Sequence, residues 1–246
     1  MNELMELSLH PGGIALTKEA FKEAVKTSAP YEKSKDAAPL KILDVGCSIG
    51  TSLSALKSEF GIEAFGIDSS EKSISKAREL HDDISFEICD AMSLPYNDGQ
   101  FDGILSECML TLLKDPKAAL AEWSRVLKKN GFLIISGLCE RDLGTLEYSF
   151  RTEFPYDAIS SSLCRKGLID KDALKSFARY IGLMPIYEKD LREELITYMS
   201  ETVLKFGSLE ERIKKEQEET GSSVLDCSIE YDPKKVSYTL LILRKL

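Results

Sequence analysis

From Leu40 onward, short apolar runs alternate with stretches whose apolar residues recur every three or four positions. The runs LKILDVG, IEAFGID, ISFEIC, FDGILSE and FLIISGL predict buried strands, and Gly50 to Phe60, Ser70 to Leu80 and the segment from Asp115 predict the helices between them. Asp115 followed by Pro116 is a strong helix start, combining an N-cap side chain with a first-turn proline. Strands alternating with helices in this way imply a parallel sheet covered on both faces. After Leu138 the pattern loosens into a long connection up to Gly167, the kind that usually serves as a functional loop. A helix from Asp170 to Ile181, a strand LMPIYEK, charged helical residues from Leu191 to about Thr220 and a last strand VSYTLLILRK follow, the last with alternation suited to an antiparallel partner. Ahead of Leu40, the amphipathic LTKEAFKEAVK and a linker rich in Pro, Ala and charge read as an N-terminal cap or lid.

Length and charge narrow this picture. The 246 residues suit one α/β domain spanning 1–246, with 1–39 as cap and 139–169 and 191–232 as insertions beside the site. A net charge of −9, with basic residues scattered among acidic ones, argues against a nucleic-acid partner. The apolar runs are too short for a membrane span and no signal pattern opens the chain, so a cytoplasmic protein, monomer or homodimer, is expected. Six cysteines without a C-x-x-C pair, and two histidines, predict free thiols and no metal site.

In an open α/β sheet the ligand lies beyond the carboxyl ends of the strands. The first such end reads LDVGCSIG: Asp44 faces the crevice, and Gly46 and Gly50 let the backbone approach a ligand, while Cys47 and Ser48 occupy the turn between them. Measured against a dinucleotide G-x-G-x-x-G, the matching positions Gly46, Ser48 and Thr51 retain one glycine of three. The second strand ends at Asp68 and Ser69, 24 positions after Asp44, where an acid accepts from both ribose hydroxyls. At the third, Asp90 is placed to accept from an adenine amino group, with Ala91 and Met92 lining the ring. Three acids at successive strand ends suit a ligand carrying an amine and a sulfonium and no phosphate.

These stretches resemble the class I S-adenosylmethionine-dependent methyltransferases: LDVGCSIG is similar to their glycine motif, GIDSS to their ribose acid, CDAMSLPYNDGQFDGILSE to their adenine and fourth-strand motifs, and RVLKKNGFLIISG to their fifth-strand approach. The resemblance covers about residues 40 to 138. It implies a Rossmann-like sheet of seven strands in the order 3-2-1-4-5-7-6, the last antiparallel, with helices on both faces. It further implies S-adenosyl-L-methionine as cofactor and transfer of its methyl group to a small-molecule acceptor by in-line displacement. Ser48 departs from the family glycine, and its hydroxyl is a candidate donor to the cofactor carboxylate.

The fourth-strand exit, SECMLTLL, would put Glu107 and Cys108 beside the cofactor's reactive end. Cys108 and Cys164 also resemble two positions of the arsenite methyltransferases, whose thiolates hold trivalent arsenic; Glu107 replaces their asparagine and Cys47 is an imperfect match to a further cysteine. Two alternatives therefore stand beside the small-molecule reading: a thiol-coordinated metalloid enzyme using Cys108 and Cys164, and a non-catalytic scaffold of the same fold. Cys108 as a small residue packed at a strand end and Cys164 as an ordinary loop thiol is the reading favoured over a metalloid pair, since buried cysteines are common. Tyr148, Phe150, Phe154 and Tyr156 are candidates for an aromatic acceptor wall, and Cys139 is a candidate at its border. His10, in HPGG, reads as a surface turn or a closure over the cofactor; His81 and the EERIKKEQEE run read as solvated, and Trp123 as core.

Overall fold

The computed structural model describes residues 10–27, 38–141, 163–165, 167–221 and 234–246. Helix α1 (Gly13–Thr27) precedes an alternating series: β1 (Lys41–Val45), α2 (Thr51–Phe60), β2 (Glu63–Asp68), α3 (Glu71–Leu80), β3 (Ser85–Ile88), β4 (Phe101–Glu107), α4 (Pro116–Val126) and β5 (Leu127–Glu140). The short β6 (Cys164–Arg165) and β7 (Leu168–Ile169) lead to α5 (Lys171–Tyr180), β8 (Leu183–Asp190), α6 (Arg192–Phe206), α7 (Leu209–Thr220) and β9 (Val236–Lys245).

Setting aside the two-residue β6 and β7, the sheet runs β3-β2-β1-β4-β5-β9-β8, and β9 lies antiparallel to both of its neighbours. This is the expected order 3-2-1-4-5-7-6, with β8 as the sixth long strand and β9 as the seventh. Alternation along the strands splits the core between the two faces. Leu43, Val45, Leu133 and Ile135 pack with Trp123 of α4 and Phe177 of α5, whereas Ile42, Ala64, Leu105 and Ile134 pack with α1, α2 and α3 through Phe21, Leu53 and Ile74.

Local chemistry sets the boundaries. The Asp115 carboxylate accepts from the Lys117 and Ala118 amides and Pro116 occupies the first turn, so α4 starts where its cap predicts. The LKKNG stretch is a bulged entry to β5: Leu127 pairs with Phe101 and Phe132 with Gly103, with Asn130 at φ 63 absorbing the extra residues. Gly103 has no room for a side chain, since a Cβ there would lie 2.3 Å from the Phe132 ring. Two sequence expectations are corrected. His81 is buried at 7 % exposure against Phe86, and α7 is not wholly solvated, because Arg212 is buried at 6 %.

Candidate functional site

The LDVGCSIG turn is shaped by backbone before any side chain contributes. The Gly46 and Cys47 amides donate to the Ile67 carbonyl, which bends the chain away from β1 toward the end of β2. Gly46, Ser48 and Gly50 all have positive φ, at 78, 49 and 80. For Gly46 and Gly50 this is free of steric penalty; for Ser48, left-handed backbone costs about 1 kcal/mol. At Gly50 space is also limiting, as a Cβ would sit 2.5 Å from the Phe86 ring. Ser48 therefore occupies a position whose backbone favours glycine, and its amide donates to Asp68 at 3.0 Å.

Asp68 ties the first two strand ends together. One carboxylate oxygen accepts from Ser48 and the other from the Ser70 amide at 2.9 Å, while burial raises its pKa against the effect of those bonds. Asp90 accepts from the Met92 amide at 2.9 Å, and the Ala91 carbonyl is fixed by the Trp123 indole N–H at 2.9 Å. Asp44, 4 % exposed, has its pKa pushed well up by burial and by the Glu107 and Asp68 charges.

At the end of β4, Glu107 is the hub of a buried cluster. Its carboxylate accepts from the Thr17 hydroxyl at 2.9 Å, the Ser52 hydroxyl at 2.8 Å and His10 Nε2 at 3.0 Å. His10 Nδ1 donates to the Pro11 carbonyl at 2.8 Å, so both ring nitrogens act as donors and the ring is an imidazolium. Burial alone would lower the His10 pKa, but the Glu107 charge and hydrogen bond outweigh it and the net shift is upward. Glu107 mirrors this: burial pushes it up, His10, Ser52 and Thr17 pull it down further, and it stays ionised. The N-terminal segment is thereby clasped onto the sheet's carboxyl edge.

Above that edge lies a cavity of about 890 Å³. Nearly every residue proposed for the cofactor lines it: Asp44, Gly46, Cys47, Ser48, Asp68, Ser69, Asp90, Ala91, Met92 and Glu107. Gly50 is not in the lining; it caps α2 and packs toward Phe86. The roof is α6 and α7, which contribute Leu195, Tyr198, Met199, Ile213 and Glu216. Asp190 anchors the start of α6 by accepting from the Arg192 amide at 3.0 Å and the Ser237 hydroxyl at 2.8 Å. The end of α7 docks on α3 through Ser73, whose hydroxyl donates to the Thr220 carbonyl at 2.9 Å, and through Lys72, which donates to the Glu218 carbonyl.

The two proposed metal-binding thiols are not brought together. Cys108 lines the cavity and packs with the α1–α3 face of the sheet; Cys164 is outside the lining and packs with the α4–α5 face. Cys108 shares a hydrogen bond with the Tyr238 hydroxyl at 3.1 Å, and Cys164 contacts the Leu110 carbonyl at 3.8 Å. Burial pushes their pKa values up to about 12 and about 11, so both are neutral thiols near pH 7. Cys139 is fully buried in the core. Tyr148, Phe150, Phe154 and Tyr156 lie outside the described residues. Among the described residues no group of three or more His, Cys, Asp or Glu is arranged to hold a metal ion, and no helix is long and apolar enough to cross a membrane.

Thr17, Ser52, Tyr198, Glu216 and Tyr238 belong to the site and went unread in the sequence. Only Thr17 carried a usable signal, being a polar residue on the buried face of an amphipathic helix.

Residues 43–135 match the family model described as "Methyltransferase domain". Methyltransferase GfsG of Streptomyces halstedii is 34 % identical over 127 residues, covering 49 % of this chain and 45 % of that protein. Ajmaline N-methyltransferase of Rauvolfia serpentina is 30 % identical over 131 residues, covering 51 % and 45 %. These alignments thus span less than half the length of the relatives. Among solved structures, Haemonchus contortus phosphoethanolamine N-methyltransferase 2, in complex with phosphomonomethylethanolamine and S-adenosylhomocysteine, superimposes with a TM-score of 0.65 at 18 % identity, covering 96 % of this chain and 53 % of that one. At that identity the likeness establishes the fold.

Proposed function

We propose that this chain, whose residues 43–135 carry a class I S-adenosylmethionine-dependent methyltransferase domain, transfers a methyl group from that sulfonium to a small-molecule acceptor. The observation that carries the reading is convergence: four consecutive parallel strand ends deliver Asp44, Asp68, Asp90 and Glu107 into one roofed cavity of about 890 Å³. A volume of that order is the range of small-molecule sites.

The donor set fits the cofactor. Asp44 is a buried carboxylate that no hydrogen-bond donor among the described residues reaches, and a methionine ammonium would supply one. Asp68, preoriented by two amides, retains lone pairs for ribose hydroxyls. Asp90 and the Ala91–Met92 backbone, held by Trp123, would face the adenine. Ser48 would contribute its hydroxyl at the methionine end. The bound cofactor supplies an electrophilic methyl carbon. The protein aligns the acceptor and excludes water, a positioning role worth several orders of magnitude in such displacements. The carboxylate of Glu107 is consumed by His10, Thr17 and Ser52, so its part is to hold the N-terminal segment closed. The metalloid alternative finds less support, because Cys108 lines the cavity whereas Cys164 packs against the other core cluster and is outside the lining.

Calorimetric titration with S-adenosylmethionine and S-adenosylhomocysteine tests the assignment. Binding by the wild type and its loss in Asp68→Ala are the expected outcome. A wild-type chain that binds neither ligand overturns the reading.

A further inference from the structure

Facing the strand ends, the roof of the cavity is largely apolar, with Leu195, Ile196, Met199, Leu209 and Ile213 beside Arg192, Tyr198 and Ser200. Into this wall α7 presents one carboxylate, Glu216. Among the described residues neither a hydrogen bond nor an ion pair satisfies it. Arg212, one turn earlier, acts on it through its charge while its guanidinium lies over the Tyr198 ring at 4.7 Å and over the Phe206 ring at 5.3 Å. Glu216 and Cys108 line the same cavity, and the Glu216 charge acts on the thiol at the tip of β4. A carboxylate left without a partner among apolar groups is unfavourable, and a cation that fits beside it removes that penalty.

We propose that Glu216 marks the acceptor subsite and that the acceptor is a hydrophobic amine, bound as its ammonium ion on the Glu216 carboxylate with its apolar body along α6 and α7. This rests on the methyltransferase reading above. A phenol or alcohol would leave the carboxylate charge unneutralised, and a carboxylic acid would meet Glu216 together with Asp44 and Asp68 across the cavity. The reaction balances without a further reagent. The ammonium N–H gives its proton to Glu216; the freed nitrogen lone pair forms the bond to the methyl carbon of the sulfonium donor as the carbon–sulfur bond breaks, its electron pair staying on sulfur. The products are the thioether, the methylated ammonium and a protonated Glu216, which returns its proton to solvent when the site opens.

Burial pushes the Glu216 pKa up to about 7, the Arg212 charge only partly offsetting it. The other titratable groups around it, Tyr198 on α6 and Cys108 at the end of β4, are both held near 12 and stay neutral in this range. Lys114 and Arg192 also line the cavity. Amine affinity therefore rises as pH passes upward through about 7.

The test is calorimetry on the full chain saturated with S-adenosylhomocysteine, using N-methyl-2-phenylethylamine, its isosteric ether 2-phenylethyl methyl ether, and 3-phenylpropionate. The amine should bind at least about tenfold tighter than the ether, as expected for a charge-assisted contact in a dry site, and the preference should grow between about pH 6 and 8 with the ionisation of the carboxylate. Glu216→Gln should abolish the preference while keeping wild-type affinity for S-adenosylhomocysteine; Glu218→Gln, on the exposed side of α7, should keep both. Equal affinity for amine and ether, no amine binding, a preference for the carboxylate, or a preference that survives Glu216→Gln overturns the proposal. Failure of S-adenosylhomocysteine to bind, read in the first titration, takes down the parent reading as well; its binding without amine preference takes down only this one.

Discussion

The floor of the cavity and its roof differ in how far apart in sequence their determinants lie. On the floor, Asp90 is held by the Met92 amide and Asp68 by the Ser70 amide, each two positions on, with the Ser48 amide of the neighbouring strand end as the second donor to Asp68. The roof is placed by a distant contact, Thr220 tied to Ser73 across 147 positions, and the N-terminal helix reaches the floor in the same way, Thr17 to Glu107 across 90. The Asp68 and Asp90 part of the floor is thus largely a product of local backbone geometry, and the roof a product of docking. Evolution can change a docked roof without disturbing the floor, which is how one fold serves many acceptors.

The sharpest way to break this comparison is at the seam where N-terminal segment and floor meet. His10→Ala leaves the Glu107 carboxylate buried without its counter-ion, and loss of about 3–5 kcal/mol is expected for that kind of change; denaturant titration measures it. Glu107→Gln combined with His10→Ala should recover part of the loss, since the orphaned charge is then gone. The pH dependence follows from the two shifts. His10 is raised above 6.5, so its contribution is complete below 6.5 and fades as pH climbs through the folded value. Glu107 is lowered below 4.5, so its contribution is complete above 4.5 and fades as pH falls through the folded value. The stability difference between wild type and His10→Ala should therefore be largest between those limits. A difference that keeps growing above neutral pH would contradict an imidazolium clasp.

Next in size is Gly50→Ala, which probes the floor alone. The left-handed φ and the encounter with Phe86 together should cost about 2–4 kcal/mol. Cofactor affinity should fall too, because Gly50 sets the register of the turn without lining the cavity. A mutant with wild-type stability would show that the turn is free to relax.

This division also explains what could be read from the sequence. The antiparallel β9, the cap at Asp115 and the positions of the acids at 44, 68 and 90 are encoded by period, spacing or a motif contained in one short stretch, whereas the strand order comes from the family resemblance those motifs carry. The clasp was invisible because nothing near His10 announces a partner on β4. The solvated reading of α7 failed for a related reason: a run of charges says which residues prefer water, but Arg212 finds two aromatic rings from other positions, and Glu216 faces the cavity. For Cys108 and Cys164 the sequence order along a loop does not reveal that only Cys108 lines the cavity.

Ser48 gives a smaller effect that separates backbone from side chain. Ser48→Gly removes left-handed strain but enlarges the freedom of the unfolded chain, so a net stabilisation of about 1 kcal/mol or less is expected. If the hydroxyl contributes to the cofactor's methionine end, affinity for S-adenosylmethionine falls while stability rises. Both rising together would assign Ser48 no role beyond the turn.

The smallest expected effect is a coupling close to zero. Cys108 packs against one core cluster and Cys164 against the other, so the changes caused by Cys108→Ser and Cys164→Ser should add within about 0.5 kcal/mol in a double-mutant cycle. Cys108→Ser alone should be felt, since its thiol meets the Tyr238 hydroxyl beside the cavity and Tyr238 in turn meets Ser136 at 2.8 Å. Cys164→Ser should leave both cofactor and amine binding unchanged, because its neighbours are Leu110 and the α4–α5 core. A coupling well above that limit, or one that appears only when trivalent arsenic is added, would mean that the loop carrying Cys164 crosses to the other face and that the roof is more mobile than its docking contacts imply.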